Sequence, residues 1–365
     1  HQIGRGSSPL AGSPPWLRLE KGGCAEAGAD IRLREVTDAI WSTISCGTPA
    51  AHRRETTTAC EAYFNCSSSA QLTGALRQAQ ERDRGMSGKV ILGYDVETAS
   101  DNTAGFLAGA RRLHRELGVP WTIYLTGRTA EACTDTILEV MEGEADLLTV
   151  GQHTYNHVLF KSVFMTPGDG KPVHGGFPNF FKEGGTPEQL REEVASTQQL
   201  LRDRLGLECT GLTGPWGYYR GLADRPDLLR LLADNGIRWV RTWARDHRDC
   251  QPTPFEVQPF FYVDQGFPEI LELGVQGYQD DFYWDRFDDR RHGETYEDYL
   301  FATLEQVADE DRVWNLCSHD HGTPTAEVFF ETKGRWLGAV IERARQLGVR
   351  FASPPDLYEE LQAAR

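Results

Sequence analysis

At 365 residues, with 38 Lys and Arg against 54 Asp and Glu and a formal net charge of −16, the chain is a poor match for nucleic acid or an anionic membrane surface. No stretch approaches the roughly eighteen uninterrupted apolar residues of a membrane span. The charge is unevenly held: residues 1–85 carry 10 basic and 9 acidic side chains, residues 86–365 carry 28 and 45, and a boundary therefore falls near Met86.

The chain begins at His1, and Met86 is its first methionine, followed by Ser87-Gly88-Lys89 and the first strong strand. Met86 reads as the natural start and residues 1–85 as a poorly structured extension: upstream translation, a tag or a fragment of something else. That segment is rich in Gly, Ser, Thr and Ala and lacks the basic and apolar regions of a signal peptide. Its Cys24, Cys46, Cys60 and Cys66 match no zinc spacing, so disorder or weak helix near 72–84 is favoured over a disulfide or zinc framework. Cys133, Cys209, Cys250 and Cys317 lie mostly beside apolar runs and read as buried reduced thiols. The expected location is cytoplasmic, and a homo-oligomer is left open.

From residue 86 the pattern alternates apolar strand with amphipathic helix, as in a parallel α/β domain. The strand starting at Lys89 runs into Asp95 and Glu97, which share a face because strand side chains alternate. A helix over 103–117 ends at Gly118 and Pro120, and a strand over 121–125 follows. A helix over 130–142 leads to a strand over 146–150, then to His153 and His157, which can face one cation if the chain turns into a helix there. Residues 165–185 read as a long surface loop, and Thr186-Pro187-Glu188-Gln189 opens a helix that runs to Gly206. A short strand then meets the glycine- and aromatic-rich turn around Pro215-Trp216-Gly217. A helix over 227–235 and a strand over 237–241 lead to Trp243 and Asp246. Residues 252–293 read as irregular and aromatic, either a sugar platform or an edge insertion. A helix over 296–307 precedes an apolar strand that ends in His319 and His321. Helix 326–347, strand 349–352 and helix 356–363 close the chain. The expected architecture is a distorted (β/α) barrel of seven or eight parallel strands over 86–365, with the chemistry at the C-terminal strand ends.

These motifs, in this order, resemble the polysaccharide deacetylase family (carbohydrate esterase family 4), and the resemblance spans residues 89–351. It implies Asp95 as catalytic base, Glu97, His153 and His157 as metal ligands, and His319 as general acid, with His321 its rival. It implies that Pro215-Trp216-Gly217 lies at the oxyanion, with the backbone N–H of Trp216 as donor, and that Trp243 and Asp246 belong to a fourth motif at the substrate. The family's arginine two residues before that proline is Thr213 here; Arg220 or Arg241 is the candidate substitute beside Asp95. Glu97, where Asp is commoner, leaves metal affinity and identity open, with zinc favoured and cobalt or nickel as alternatives.

The function these parts imply is metal-dependent hydrolysis of an N-acetyl or N-formyl amide on an amino sugar or glycoconjugate. The competing readings are an allantoinase-like hydrolase of cyclic amides and a catalytically degenerate sugar-binding barrel.

Overall fold

The computed structural model describes residues 88–168, 178–280, 283 and 295–365; residues 1–85 and most of 281–294 lie outside them. The first strand, β1 (Lys89–Val96), is buried along its whole length, as expected of a parallel strand covered on both faces. Its alternate residues serve two cores. Val90, Leu92, Tyr94 and Val96 pack outward under helices, while Ile91 joins an inner cluster with Tyr124 and Trp239.

Helix α1 (Asp101–Leu117) is capped by Ser100, whose side chain accepts from the N–H of Asn102, and stops at Gly118 in the left-handed region. Strand β2 (Trp121–Leu125) leads to α2 (Gly127–Ala132) and α3 (Thr134–Met141), two short helices where the periodicity suggested one; they meet at Cys133, which is non-helical. After β3 (Leu148–Gln152) comes a small antiparallel pair, β4 (Val163–Met165) at the start of the expected 165–185 loop and β5 (Phe180–Lys182) within it. Helix α4 (Pro187–Leu205) starts on its Thr186 cap with proline in the first turn and ends at left-handed Gly206.

Strand β6 (Gly211–Tyr219), α5 (Pro226–Asp234) and β7 (Trp239–Arg245) follow. Residues 252–293, expected to be irregular, contain the hairpin β8 (Phe260–Tyr262) and β9 (Phe267–Glu272). Pro268 masks this strand, since proline argues against a sheet position unless it lies near a strand's start, as here. Helix α6 (Tyr296–Glu310) begins with a Thr295–Asp298 capping box. Strand β10 (Val313–His319) is followed by α7 (Ala326–Glu331) and α8 (Lys333–Gln346), again two helices in place of one, broken at Thr332. The short β11 (Arg350–Phe351) pairs with the start of β1, and α9 (Pro354–Ala363) ends the fold.

The sheet order is β10-β1-β2-β3-β6-β7-β9-β8, with every neighbouring pair parallel except β8 with β9. Seven parallel strands thus curve as a distorted barrel, and β11 adds an eighth. The path ends at β8 and β10, and the seam between those ends is bridged by side chains. Gln258 exchanges hydrogen bonds with the backbone of Val313 (2.8 and 3.1 Å), and Gln276 Oε1 accepts from the N–H of Asn315 at 2.9 Å.

Two registers matter for the site. Asp95 on β1 lies opposite His319 on β10, and Thr213 on β6 lies opposite Arg241 on β7. Among the described residues no helix is long and apolar enough to cross a membrane.

Candidate metal and hydrolytic site

A cavity of about 190 Å³ opens at the C-terminal ends of the strands, lined by Asp95, Glu97, His153, His157, Trp216 and His319 among others. Asp95 is the last inward-facing residue of β1, and Glu97 follows where the strand ends. The paired histidines do not sit on a helix. The chain beyond β3 makes a tight turn, with Thr154 at φ 57° and His157 at φ 60°. The turn is held from three sides: His153 N–H donates to Leu125 O (2.8 Å), Val158 N–H to Thr154 Oγ1 (3.1 Å), and Asn156 donates twice to the Glu193 carboxylate on α4 (2.6 and 2.7 Å). These contacts replace the ladder a helix would have supplied, and the two imidazoles still meet, with centroids 4.7 Å apart.

His153 is buried, and its Nδ1 lies 2.9 Å from the carbonyl of Thr213, where it donates. That bond fixes the tautomer and turns Nε2 toward Glu97, the arrangement that orients a metal-ligating histidine. Glu97 Oε2 stands 3.2 Å from His153 Nε2 and 3.0 Å from His157 Nε2. A tetrahedral ion with bonds of about 2.0–2.1 Å separates its ligand atoms by roughly 3.3–3.4 Å, so the trio is nearly at coordination spacing. His321, just beyond β10, approaches the other carboxylate oxygen, Oε1, at 3.1 Å, and its ring stacks on His319 at 5.3 Å. Burial alone would raise the pKa of Glu97, yet the three imidazoles overcome it and hold the carboxyl well below its usual range. For His153, burial opposes protonation, and the neighbouring Asp95 and Glu97 outweigh it and raise the pKa.

Asp95 is held by Arg241, whose guanidinium pairs with Oδ1. Arg241 is itself buried, donates from Nε to Thr213 Oγ1 at 2.9 Å and lies over the Tyr124 ring at 4.2 Å. The cation therefore comes from the strand next to Thr213, at the registered position; Arg220, the other candidate, is exposed. Desolvation works against its charge, but Asp95 more than compensates and raises its pKa.

The other oxygen of Asp95, Oδ2, is 3.9 Å from His319 Nε2. His319 Nδ1 donates to Asp280 Oδ1 at 2.7 Å. Asp280 is buried and also accepts from Ser318 Oγ (2.5 Å) and Lys333 Nζ (2.7 Å). Burial pushes its pKa up, but Lys333 and His319 push harder and depress it. No spacing pointed to Asp280 as the partner of His319, since it sits 39 positions away in a segment that read as irregular. Nor did spacing suggest Lys333, the first residue of α8.

Trp216 and Gly217 reach the cavity in left-handed conformations, φ 69° and 65°. Gly217 is required there, because a Cβ would lie 2.3 Å from that of Ala244. Their carbonyls both accept from Arg245 Nε, at 3.0 and 3.1 Å. Trp243 and Asp246 are not brought to this cavity. They line an adjoining groove with Tyr219, Glu256 and Phe260, and Arg245 borders both spaces. Trp243 Nε1 donates to Arg245 O at 3.2 Å, and Asp246 Oδ1 accepts the N–H groups of Arg248 and Cys250 at 2.8 and 2.9 Å.

A family model described as polysaccharide deacetylase matches residues 88–247. Among solved structures, a polysaccharide deacetylase from Mycobacterium smegmatis is similar at 15% identity and TM-score 0.50, covering 77% of this chain and 92% of its own. PuuE allantoinase is similar at 12% identity and TM-score 0.52, covering 76% and 92%. A Bacillus anthracis protein described as a CE4 family pseudoenzyme is similar at 12% identity and TM-score 0.43, covering 74% and 66%. None of the curated proteins searched matches the chain. At these identities the first two likenesses establish the fold alone.

Proposed function

Residues 88–247 match the polysaccharide deacetylase family model, and from that premise we propose that the chain hydrolyses an N-acetyl amide on an amino sugar of a glycan with the help of a divalent ion. The observation that carries this reading is the meeting, in one cavity, of a Glu97–His153–His157 donor set with the Asp95–His319 pair.

Two imidazoles and one carboxylate at near-tetrahedral spacing suit zinc, with cobalt or nickel next. An ion held there would polarise the amide carbonyl and make a bound water more acidic. Asp95 Oδ2 accepts the proton of the attacking water, and Arg241, paired with Oδ1, aims that carboxylate. Oxygen adds to the acetyl carbon beside the Trp216–Gly217 backbone, which we assign to oxyanion stabilisation. His319 Nε2–H passes its proton to the amide nitrogen as the C–N bond breaks, releasing acetate and a free amine. Asp280, accepting at Nδ1, favours the imidazolium form that this donation needs.

The groove beside the cavity supports a glycan over a small cyclic amide. Tyr219 and Phe260 stand edge-on to Trp243 at 6.2 and 6.0 Å, and aromatic faces rimmed by Glu256 and His247 suit a neighbouring sugar ring.

The test is elemental analysis of the purified full chain together with acetate release from N-acetylglucosamine oligosaccharides. About one divalent ion per chain, lost with the activity in a His153→Ala, His157→Ala double variant, is the expected result. A chain that takes up no zinc, cobalt or nickel and releases no acetate would overturn the reading.

A further inference from the structure

The Asp95–His319 pair, together with Cys317, makes a second set of donors that the hydrolytic scheme does not use as ligands. Cys317, two residues before His319 on β10, is buried, and its Sγ is 3.6 Å from Asp95 Oδ2. His319 Nε2 is 3.9 Å from the same oxygen, and the three donor atoms lie within 4.8 Å of one another. Cys317 and His319 project to the same side because they are two apart on a strand.

We propose that Asp95, Cys317 and His319 form a second, inhibitory ion site selective for thiophilic divalent metals such as Cd²⁺ and excess Zn²⁺. A tetrahedral ion with one thiolate at about 2.3 Å and one carboxylate oxygen at about 2.0 Å spaces those atoms by roughly 3.5 Å. The observed sulfur–oxygen separation already has that value within about a tenth of an ångström, and His319 needs only a small approach. Arg241 engages only Oδ1 of Asp95, which leaves Oδ2 to face the sulfur and the imidazole. His319 donates Nδ1–H to buried Asp280, so Nε2 is presented by a carboxylate–imidazole pair. Sulfur makes the set softer than Glu97–His153–His157, which has only nitrogen and oxygen, so the two sites sort metals differently.

Binding forms metal–sulfur, metal–oxygen and metal–nitrogen bonds, and the thiol proton leaves to solvent. Nothing is oxidised or reduced. The ion occupies the base and the acid together, so uptake at this site stops proton transfer while the Glu97–His153–His157 set stays loaded. The site stands independently of the substrate assignment, because it can be read out without turnover.

The experiment titrates the zinc-loaded full chain with Cd²⁺ and follows the ultraviolet cadmium–thiolate charge-transfer band, with Cys317→Ser and Cys317→Ala alongside. Serine keeps the size and polarity of the side chain but is a poor ligand for cadmium; alanine removes the donor. The wild type is expected to develop the band with about one added equivalent, and both variants to lack that increment. The difference spectrum removes the contribution of the other cysteines. Where acetate release is measurable, Cd²⁺ is expected to abolish it in the wild type and to act at least tenfold more weakly on the serine variant. Equal bands in wild type and variants, or no band at all, would overturn the site. Such a result would leave the deacetylase reading untouched, just as an inactive chain that binds cadmium through Cys317 would leave the site standing.

Discussion

Asp280→Asn separates orientation of the acid from simple stability. The carboxylate of Asp280 receives hydrogen bonds from His319 Nδ1, Ser318 Oγ and Lys333 Nζ. An asparagine offers one acceptor oxygen in place of two. If that oxygen faces His319, the amide N–H₂ confronts the Lys333 ammonium; if it faces Lys333, His319 Nδ1 must become an acceptor. Either way the imidazolium loses its anionic partner, and deacetylation is expected to fall by roughly 10²–10⁴-fold. Lys333, with its side chain 11% exposed, is left without its counter-charge. Removing one partner of a buried pair costs about 3–5 kcal/mol, or a thermal midpoint lower by roughly 10 °C. Adding Lys333→Met removes the orphaned charge and is expected to restore much of the stability without restoring deacetylation. A second assay uses an activated aryl acetate, whose leaving group needs no proton and whose hydrolysis is therefore expected to suffer far less. Recovery of glycan deacetylation in the stabilised double variant would refute the argument that Asp280 acts through His319.

Two further outcomes are expected. Arg241→Thr is expected to lower deacetylation at least tenfold because buried Asp95 loses its cation; Thr213→Arg in the same chain is expected to recover most of it, since the two positions are registered neighbours on β6 and β7, and failure of the swap with an intact fold would place the role of Arg241 elsewhere. His114 is buried between Tyr94 Oη (2.8 Å) and Val119 O (2.9 Å), and burial pushes its pKa down to about 4, against a backbone bond that raises it. The unfolded chain, with an imidazole pKa near 6.5, then binds a proton that the folded chain refuses, so stability falls by about 3 kcal/mol as pH drops from 6.5 to 4. Chemical denaturation across that range is expected to flatten in His114→Gln, and an unchanged pH slope would refute the assignment.

The strands that carry chemistry were legible because apolar runs ending in Asp95, His153 and His319 have few alternative explanations when they recur in an α/β pattern. What could not be read was which partner on a neighbouring strand completes each group. Of the two candidates to stand in for the arginine missing at position 213, Arg220 and Arg241, only the register of β6 with β7 selects Arg241, whose guanidinium reaches Asp95. Asp280 is remote in sequence from His319, and its neighbours Gln279 and Tyr283 carry no periodic signal. The histidine turn read as helical because i,i+4 spacing admits that reading; Asn156 and Glu193, joined across 37 positions, impose the turn. Trp243 and Asp246 were placed with the reacting groups by motif order, whereas β7 delivers them to the neighbouring groove.

The seam between β10 and the β8–β9 hairpin has a mechanical consequence. His319 stands on one lip, at the end of β10, and Asp280 hangs from the other, beyond β9, so the two hydrogen-bonded partners belong to opposite banks of the barrel wall. Among the described residues, only side chains, chiefly Gln258, Gln276 and the Lys333–Asp280–His319 chain, tie those banks together directly. A widening of the seam therefore uncouples His319 from Asp280 before any ladder hydrogen bond between strands has to break. The glutamines work as stitches, and their grip sets how often His319 is held on Asp280.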